Sequence, residues 1–289
     1  MRLTFFRAFI KGASISDTNA TENLERECRS YRLPGVASAV CFRKMYDVID
    51  TCGSEKYIAS EWLETTLTQL KYLPNMRTYA IIEVILKAVL HSCIILEILK
   101  YVNTDYKPAN ILLSSTETGA VTAKVGDLGL VFPAGHRYEA QPYAMRAPEV
   151  FLGHACTESS QVWAVAAVLL CWIKPGVLGA WDSPHCLINK AWSMAKSKRL
   201  FPNWNIPSPD EVEGDSFKAT VKSARRMSQE EPGLQAILPL EEEIRGVEMP
   251  QQLRELLRLV LVVDPSKRPS ASSVLASKEF QAFETFIGI

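Results

Sequence analysis

The sequence predicts an α+β protein of two lobes, a small strand-bearing lobe followed by a larger, mainly helical one. Three observations predict it. Strand-type segments fall before residue 61, long helical periodicity begins near residue 76, and a Gly- and Pro-punctuated segment, residues 102–149, separates the first two long helices. A polar loop region at the join of two lobes is where a site is expected, because clefts there gather polar groups between apolar walls.

The elements follow in order. Residues 5–11, Phe-Phe-Arg-Ala-Phe-Ile-Lys, read as a strand, and residues 21–32 as a polar-faced helix stopped by Pro34-Gly35. Short extended pieces are expected near 42–49 and 56–60, then helices over 76–99, 159–172, 185–199 and 249–262. The most hydrophobic stretch, Ala80 to Leu99, carries Glu83, Lys87, His91 and Glu97 near helical spacing, a stripe that a bilayer rejects and a buried soluble helix accepts. Val162 to Ile173 is too short to cross a bilayer. Within the loop region, residues 111–113 and 122–125 are strand candidates. The Pro-, Glu- and Ser-rich stretch 202–248 reads as a surface excursion with one or two helices, and Glu241-Glu242-Glu243 as a solvated helix start.

Composition narrows the function classes. The 289 residues are 47% hydrophobic and 22% charged, with 32 basic against 32 acidic side chains, which excludes disordered, collagen-like and disulfide-scaffold classes. Zero net charge gives no case for a nucleic-acid or membrane-surface protein, since both need a basic surplus. Cys28, Cys41, Cys52, Cys93, Cys156, Cys171 and Cys186 form no C-x-x-C pair, so a zinc ribbon is unsupported and reduced core thiols in an intracellular compartment are expected. His91, His136, His154 and His185 lack metal-ligand spacing. Trp163, Trp172, Trp181, Trp192 and Trp204 have no interleaved basic residues and are expected in the core of the large lobe.

The informative block is Tyr101-Val-Asn-Thr-Asp-Tyr-Lys-Pro-Ala-Asn-Ile-Leu-Leu, followed by Lys124-Val-Gly-Asp-Leu-Gly-Leu and Met145-Arg-Ala-Pro-Glu-Val. It sets Asp105, Lys107, Asn110 and Asp127 close together in the chain, each beside a strand candidate that can hold it rigid. Two carboxylates, an amide and an amine are what metal-assisted phosphoryl transfer requires: one carboxylate for the attacking hydroxyl, the other with the amide for Mg²⁺, and an ammonium for the charge on the moving phosphoryl group.

D-x-K-P-x-N, then D-L-G, then A-P-E resembles the eukaryotic protein kinase family, and the resemblance runs over nearly the whole chain. It implies a two-lobed kinase-like fold, with residues 1–63 as a truncated small lobe plus hinge and 64–289 as the large lobe. It implies Asp105 as the base for the substrate hydroxyl and Lys107 as the stabiliser of the transferred group, in the Ser/Thr form of the loop. Asn110 and Asp127 would hold Mg²⁺. Lys11 would reach the nucleotide phosphates, steadied by Glu27, with Glu25 as the alternative. Ser60-Glu61-Trp62-Leu63 resembles gatekeeper and hinge, so the Glu61 carbonyl and Leu63 backbone would contact adenine, and Leu112 is likewise assigned to the nucleotide. Glu149 and Arg268 would form a structural ion pair. Asn-Thr-Asp in place of His-Arg-Asp leans toward the SR-protein kinases and their divergent fungal relatives.

The sequence departs from the family in three places. No G-x-G-x-x-G loop lies upstream of Lys11, and losing two of its charge-assisted hydrogen bonds, about 1.5–3 kcal/mol each, weakens nucleotide binding by roughly 10²–10⁴-fold. Asn103 and Gln161 stand where the family has His and Asp, and are expected to bond each other or the backbone. Thr104 replaces an arginine that receives a phosphate, so segment 128–148 is expected to be ordered without modification of Tyr138 or Tyr143. The implied function is an ATP- and Mg²⁺-dependent Ser/Thr protein kinase acting as a monomer on protein substrates. The alternative is a pseudokinase, a nucleotide-binding or scaffold module without turnover.

Overall fold

The computed structural model describes residues 7–14, 16–51, 55–115, 120–135 and 141–288. Phe5, Phe6, Cys52, His136 and Tyr138, each named in the expectations above, lie outside the described residues.

The small lobe opens with β1 (Ala8–Ser14) and α1 (Thr18–Tyr31). Asp17 caps α1 by accepting the Ala20 N–H at 3.0 Å. The helix buries Leu24, Glu27, Cys28 and Tyr31, the spacing of one helical face. A short α2 (Pro34–Ser38) leads to β2 (Met45–Thr51) and β3 (Glu55–Glu61), each a few residues from its expected bounds. The sheet order is β1-β3-β2, antiparallel throughout, with Phe9 opposite Ser60 and Lys11 opposite Ile58. Residues two apart share a sheet face. Phe9, Lys11, Ile58 and Ser60 therefore present one face together.

The large lobe contains β4 (Thr65–Thr66), α3 (Met76–Ile98), β5 (Tyr101–Asn103), β6 (Ile111–Ser114), β7 (Thr122–Val125) and β8 (Val131–Pro133). Strands pair in the orders β4-β6-β7 and β5-β8. The two-residue β4 and three-residue β5 and β8 are too short for strand periodicity to announce them. Next come α4 (Pro148–Phe151) and α5 (Glu158–Ile173). Every residue of α5 from Ser160 to Leu170 is buried, as befits a helix that is apolar on all sides. It packs against α3 and β5 and gives the loop after β5 a rigid floor.

The remaining helices are α6 (Asn189–Leu200), α7 (Asp215–Glu230), α8 (Pro232–Gln235), α9 (Leu240–Arg245), α10 (Gln251–Val260), α11 (Ala271–Leu275) and α12 (Lys278–Ile287). Three expectations are corrected here. Stretch 202–248 holds three α-helices rather than one or two, because Val221, Ala224 and Ser228 give α7 a narrow buried stripe against α6 within a polar composition. Glu243 is buried, not solvated: it ion-pairs with Lys174 and accepts the Leu238 N–H at 2.7 Å. Trp181 is 77% exposed, standing over the buried Lys196 ammonium, while the other four tryptophans named above are in the core. Cys28, Cys41, Cys93 and Cys156 are buried free thiols, Cys171 is half-buried and Cys186 exposed. No described helix is long and apolar enough to cross a membrane.

Arg268 ties the distant parts of this lobe together. Its guanidinium makes two bonds to Glu149, at 2.8 and 3.0 Å, and further bonds to the Val262 and Ser159 carbonyls, with its side chain fully out of solvent. A buried pair is costly to break from one side, because the surviving charge stays behind. Arg268→Met is expected to lower unfolding stability by about 3–5 kcal/mol in urea titration. A loss under about 1 kcal/mol, the size of an exposed pair, would show that the contact does not hold the lobe.

Candidate active site

Strand β1 delivers Lys11 to the cleft, and its ammonium makes two short contacts. Nζ donates to Glu27 Oε2 at 2.7 Å and to Asp127 Oδ1 at 2.9 Å. Glu27 faces Lys11 because it lies on the buried face of α1; Glu25, the alternative, points outward and pairs with Lys56 at 2.8 Å. Burial would by itself lower the Lys11 pKa, but the Glu27 and Asp127 charges hold it above the ordinary lysine value. Burial pushes the Glu27 carboxyl up, helped by the nearby Asp127 charge and opposed by Lys11. Asp127 itself has φ of +53°, a left-handed conformation that a non-glycine residue adopts only where its surroundings hold it.

The loop after β5 is assembled by hydrogen bonds from its own side chains. Asn103 Oδ1 accepts the Asp105 N–H at 2.9 Å, and Gln161 Oε1, from the buried α5, accepts the Asn103 N–H at 2.8 Å. Asn103 and Gln161 are thus bonded, through backbone and side chain, in the positions where the family has His and Asp. Thr104 donates to the Leu130 carbonyl through both N–H (3.0 Å) and hydroxyl (2.9 Å). Lys107 Nζ donates to Asp105 Oδ2 at 2.8 Å, and Asn110 Nδ2 donates to the same oxygen at 2.8 Å and to the Asp105 carbonyl at 2.9 Å. The 3-10 turn Pro108–Asn110 folds Asn110 back onto Asp105. With its Nδ2 engaged there, Asn110 Oδ1 accepts no hydrogen bond among the described residues.

A cavity of about 420 Å³ separates the lobes, with Lys11, Glu27, Asn110, Asp127, Leu63 and Leu112 in its lining. At Gly126, which precedes Asp127, a Cβ would meet Leu112 Cδ1 at 2.6 Å, so any larger residue there would push the Leu112 side chain aside. The Leu63 N–H and carbonyl carry no hydrogen bond among the described residues. Glu61 lies outside that lining. Its carboxylate turns out to Lys124 at 2.7 Å and the Lys44 N–H at 3.1 Å, and its carbonyl accepts from Arg43 Nε at 2.7 Å. Arg43 and Phe9 also line the cavity. The expectations missed Arg43 because an isolated arginine before a strand has no telling spacing to other polar residues. It arrives by pairing with β7: the Arg43 N–H donates to the Val125 carbonyl at 2.9 Å and the Val125 N–H to the Cys41 carbonyl at 2.8 Å.

The donor chemistry suits a hard divalent cation. Mg²⁺ takes oxygen ligands, with one or two carboxylates completed by substrate phosphates and water. The Asp127 carboxylate and the Asn110 Oδ1 are oxygen donors on the same cavity wall, so these residues fit the ion. Lys11 lines this space, and Asp105 and Lys107, which are outside its lining, are joined to it through the Asn110 amide; the set fits a triphosphate with an acceptor hydroxyl at the cavity's edge.

Comparisons with known proteins point to one family. The family described as "Protein kinase domain" matches residues 44–280. The chain is 26% identical over 185 residues to "Stress-activated protein kinase JNK" of Drosophila melanogaster, covering 60% of this chain and 46% of that protein. It is 31% identical over 106 residues to "Probable dual specificity protein kinase YAK1 homolog" of Encephalitozoon cuniculi, covering 35% of this chain and 24% of that protein. The chain therefore spans less than half the length of these relatives.

Two outcomes follow from the contacts. Gln161→Leu leaves the buried Asn103 N–H without an acceptor and is expected to cost about 1–3 kcal/mol of stability, with faster hydrogen exchange at that amide; unchanged exchange would refute the tether. Lys11 has a raised folded pKa, so the stability it gains from its carboxylates is complete below pH 10.5 and is lost as pH rises through the folded value. The stability gap between the natural chain and Lys11→Met should hold through neutral pH and narrow only above pH 10.5.

Proposed function

The chain belongs to the protein kinase family, and on that premise we propose that it transfers the γ-phosphoryl group of ATP to Ser/Thr hydroxyls of protein substrates. One observation carries the reading: Asp105, Lys107 and Asn110 form a single hydrogen-bonded unit beside the Lys11, Glu27 and Asp127 cluster.

The roles follow from the contacts. Asp105 orients the acceptor hydroxyl and takes its proton as the oxygen attacks phosphorus. Lys107, already on Asp105 Oδ2, extends to the transferring phosphoryl oxygens and offsets their charge. Lys11 binds the donor phosphates, with Glu27 holding its ammonium in place. Asn110 Oδ1 and Asp127 would hold Mg²⁺, which when bound neutralises phosphate charge. Leu63 offers backbone groups to the base and Leu112 an apolar surface beneath it. Lys107 supports Ser/Thr over Tyr acceptors, and Thr104 supports kinship with the SR-protein kinases and their fungal relatives. We read residues 1–63 as small lobe and hinge, 64–289 as large lobe, and the chain as an intracellular monomer.

A second reading, a nucleotide-binding or scaffold module without turnover, is favoured by one feature: the Glu61 carbonyl assigned to adenine already accepts from Arg43. The two separate on incubation of the chain with millimolar labelled ATP, Mg²⁺, and Arg/Ser-rich peptide or myelin basic protein. Transfer is expected from the natural chain and about 10²-fold or more below it from Asp105→Asn and Asp127→Asn. Absent transfer, or equal transfer in all three, rejects catalysis; nucleotide binding without transfer establishes the second reading.

A further inference from the structure

Arg43 is a cation inside the slot where a nucleobase would lie. Its guanidinium carbon sits 4.0 Å from the centroid of the Phe9 ring, and its Nε donates to the Glu61 carbonyl at 2.7 Å. Phe9 stands opposite Ser60 on the sheet face that roofs the cavity. On the other side, the Arg43 Cδ lies 3.8 Å from where a Cβ on Gly126 would be, next to Leu112. The side chain thus runs between the roof and the floor of the cleft.

The guanidinium is held but not saturated. It carries five N–H donors and no acceptor. Nε accounts for one; neither Nη has a hydrogen-bond partner and no carboxylate forms an ion pair with it among the described residues. The Glu27, Glu61 and Asp127 carboxylates act on it only through their charge. Arg43 is only half-buried, so its two Nη groups are open to solvent in the cleft and available to a ligand that brings acceptors.

Purines differ at that edge. A 6-oxopurine presents two acceptors, O6 and N7, which an arginine can engage together, whereas adenine replaces O6 with an amino donor. Next to the Arg43 Nη groups the adenine amino group would set donor against donor, and the Glu61 carbonyl already spends one of its two acceptor positions on Arg43. We propose that Arg43 is the base-selecting residue of this cleft and that it favours a 6-oxopurine nucleotide, of the guanine or hypoxanthine class, over an adenine nucleotide. This rests on the nucleotide-binding reading above and changes its preferred donor, leaving ATP as the weaker one. Phe9 is a positioning residue, because its ring fixes the guanidinium plane.

The test is isothermal titration of the full chain with ATP, GTP and ITP in Mg²⁺, repeated with Arg43→Met and Phe9→Ala. Folding of each variant is checked by its melting temperature without nucleotide. The natural chain is expected to bind ITP and GTP about 10- to 100-fold more tightly than ATP, one unpaired donor converted to affinity. Arg43→Met should erase or reverse that ratio, and Phe9→Ala, which removes a partly exposed ring, should shrink it several-fold. ATP equal to or tighter than ITP overturns the proposal, as does equal strengthening of all three by Arg43→Met, which would make the arginine a plug. A preference for GTP that ITP does not share also overturns it, since the 2-amino group would then be what is read. Failure of all three nucleotides to bind overturns the nucleotide-binding reading itself, an outcome distinct from tight but ATP-selective binding.

Discussion

The Lys11 ammonium is the contact on which the cleft depends. It touches Glu27 on α1 and Asp127 on the loop that leaves β7, so one side chain of the small lobe joins a helix of its own lobe to the large one. Three independent local rules must agree for this to happen. The β1–β3 register turns Lys11 inward beside Phe9, the helical spacing of α1 places Glu27 on the same side as Leu24 and Tyr31, and Gly126 lets the chain pass close to Leu112 so that Asp127 can reach across. With side-chain exposures of 36% for Lys11 and 39% for Asp127, the interlobe contact is a wet one. Wet ion pairs add little stability. Its contribution is geometric, holding a positive charge between two carboxylates where a triphosphate would bring negative charge.

The loop after β5 solves a different problem. A carboxylate buried on α5 would need full pairing to offset its desolvation, whereas the neutral Gln161 amide accepts the Asn103 N–H at far lower cost. The compromise is visible in the Asn103 Nδ2 and Gln161 Nε2, both buried without a partner among the described residues. Asp105 is fixed by neutral neighbours behind it and by Lys107 and Asn110 in front. The Phe9–Arg43 pair follows the same logic, with a cation held by a ring face and a carbonyl instead of a counter-charge.

Legibility in the sequence divides along the type of signal. Asp105, Lys107, Asn110 and Asp127 stand out in the sequence because their chemistry is concentrated in a short length of chain, whereas Lys11 and Glu27 were named from the kinase resemblance; the structure sets Lys11 against Glu27 and turns Glu25 outward to Lys56. α3 and α5 were readable from long apolar runs. What was hidden is what depends on distant partners. The narrow stripe of α7 is lost among polar residues, Glu243 looks solvated until Lys174 meets it, and nothing local distinguishes Trp181 from the buried tryptophans. Arg43 is the clearest case, since its place in the cleft comes from pairing with Val125 far along the chain, not from its neighbours.

The central claim, that Lys11 and Glu27 work as one phosphate-binding unit, is tested most directly by a double-mutant cycle in affinity for a Mg²⁺–nucleoside triphosphate. The forms compared are the natural chain, Lys11→Met, Glu27→Gln and the double variant. If Glu27 acts on the nucleotide only through Lys11, as proposed, the double variant is expected to bind no more weakly than Lys11→Met alone, a non-additivity typical of residues in one network. Losses that multiply, leaving a coupling energy near zero, would contradict it.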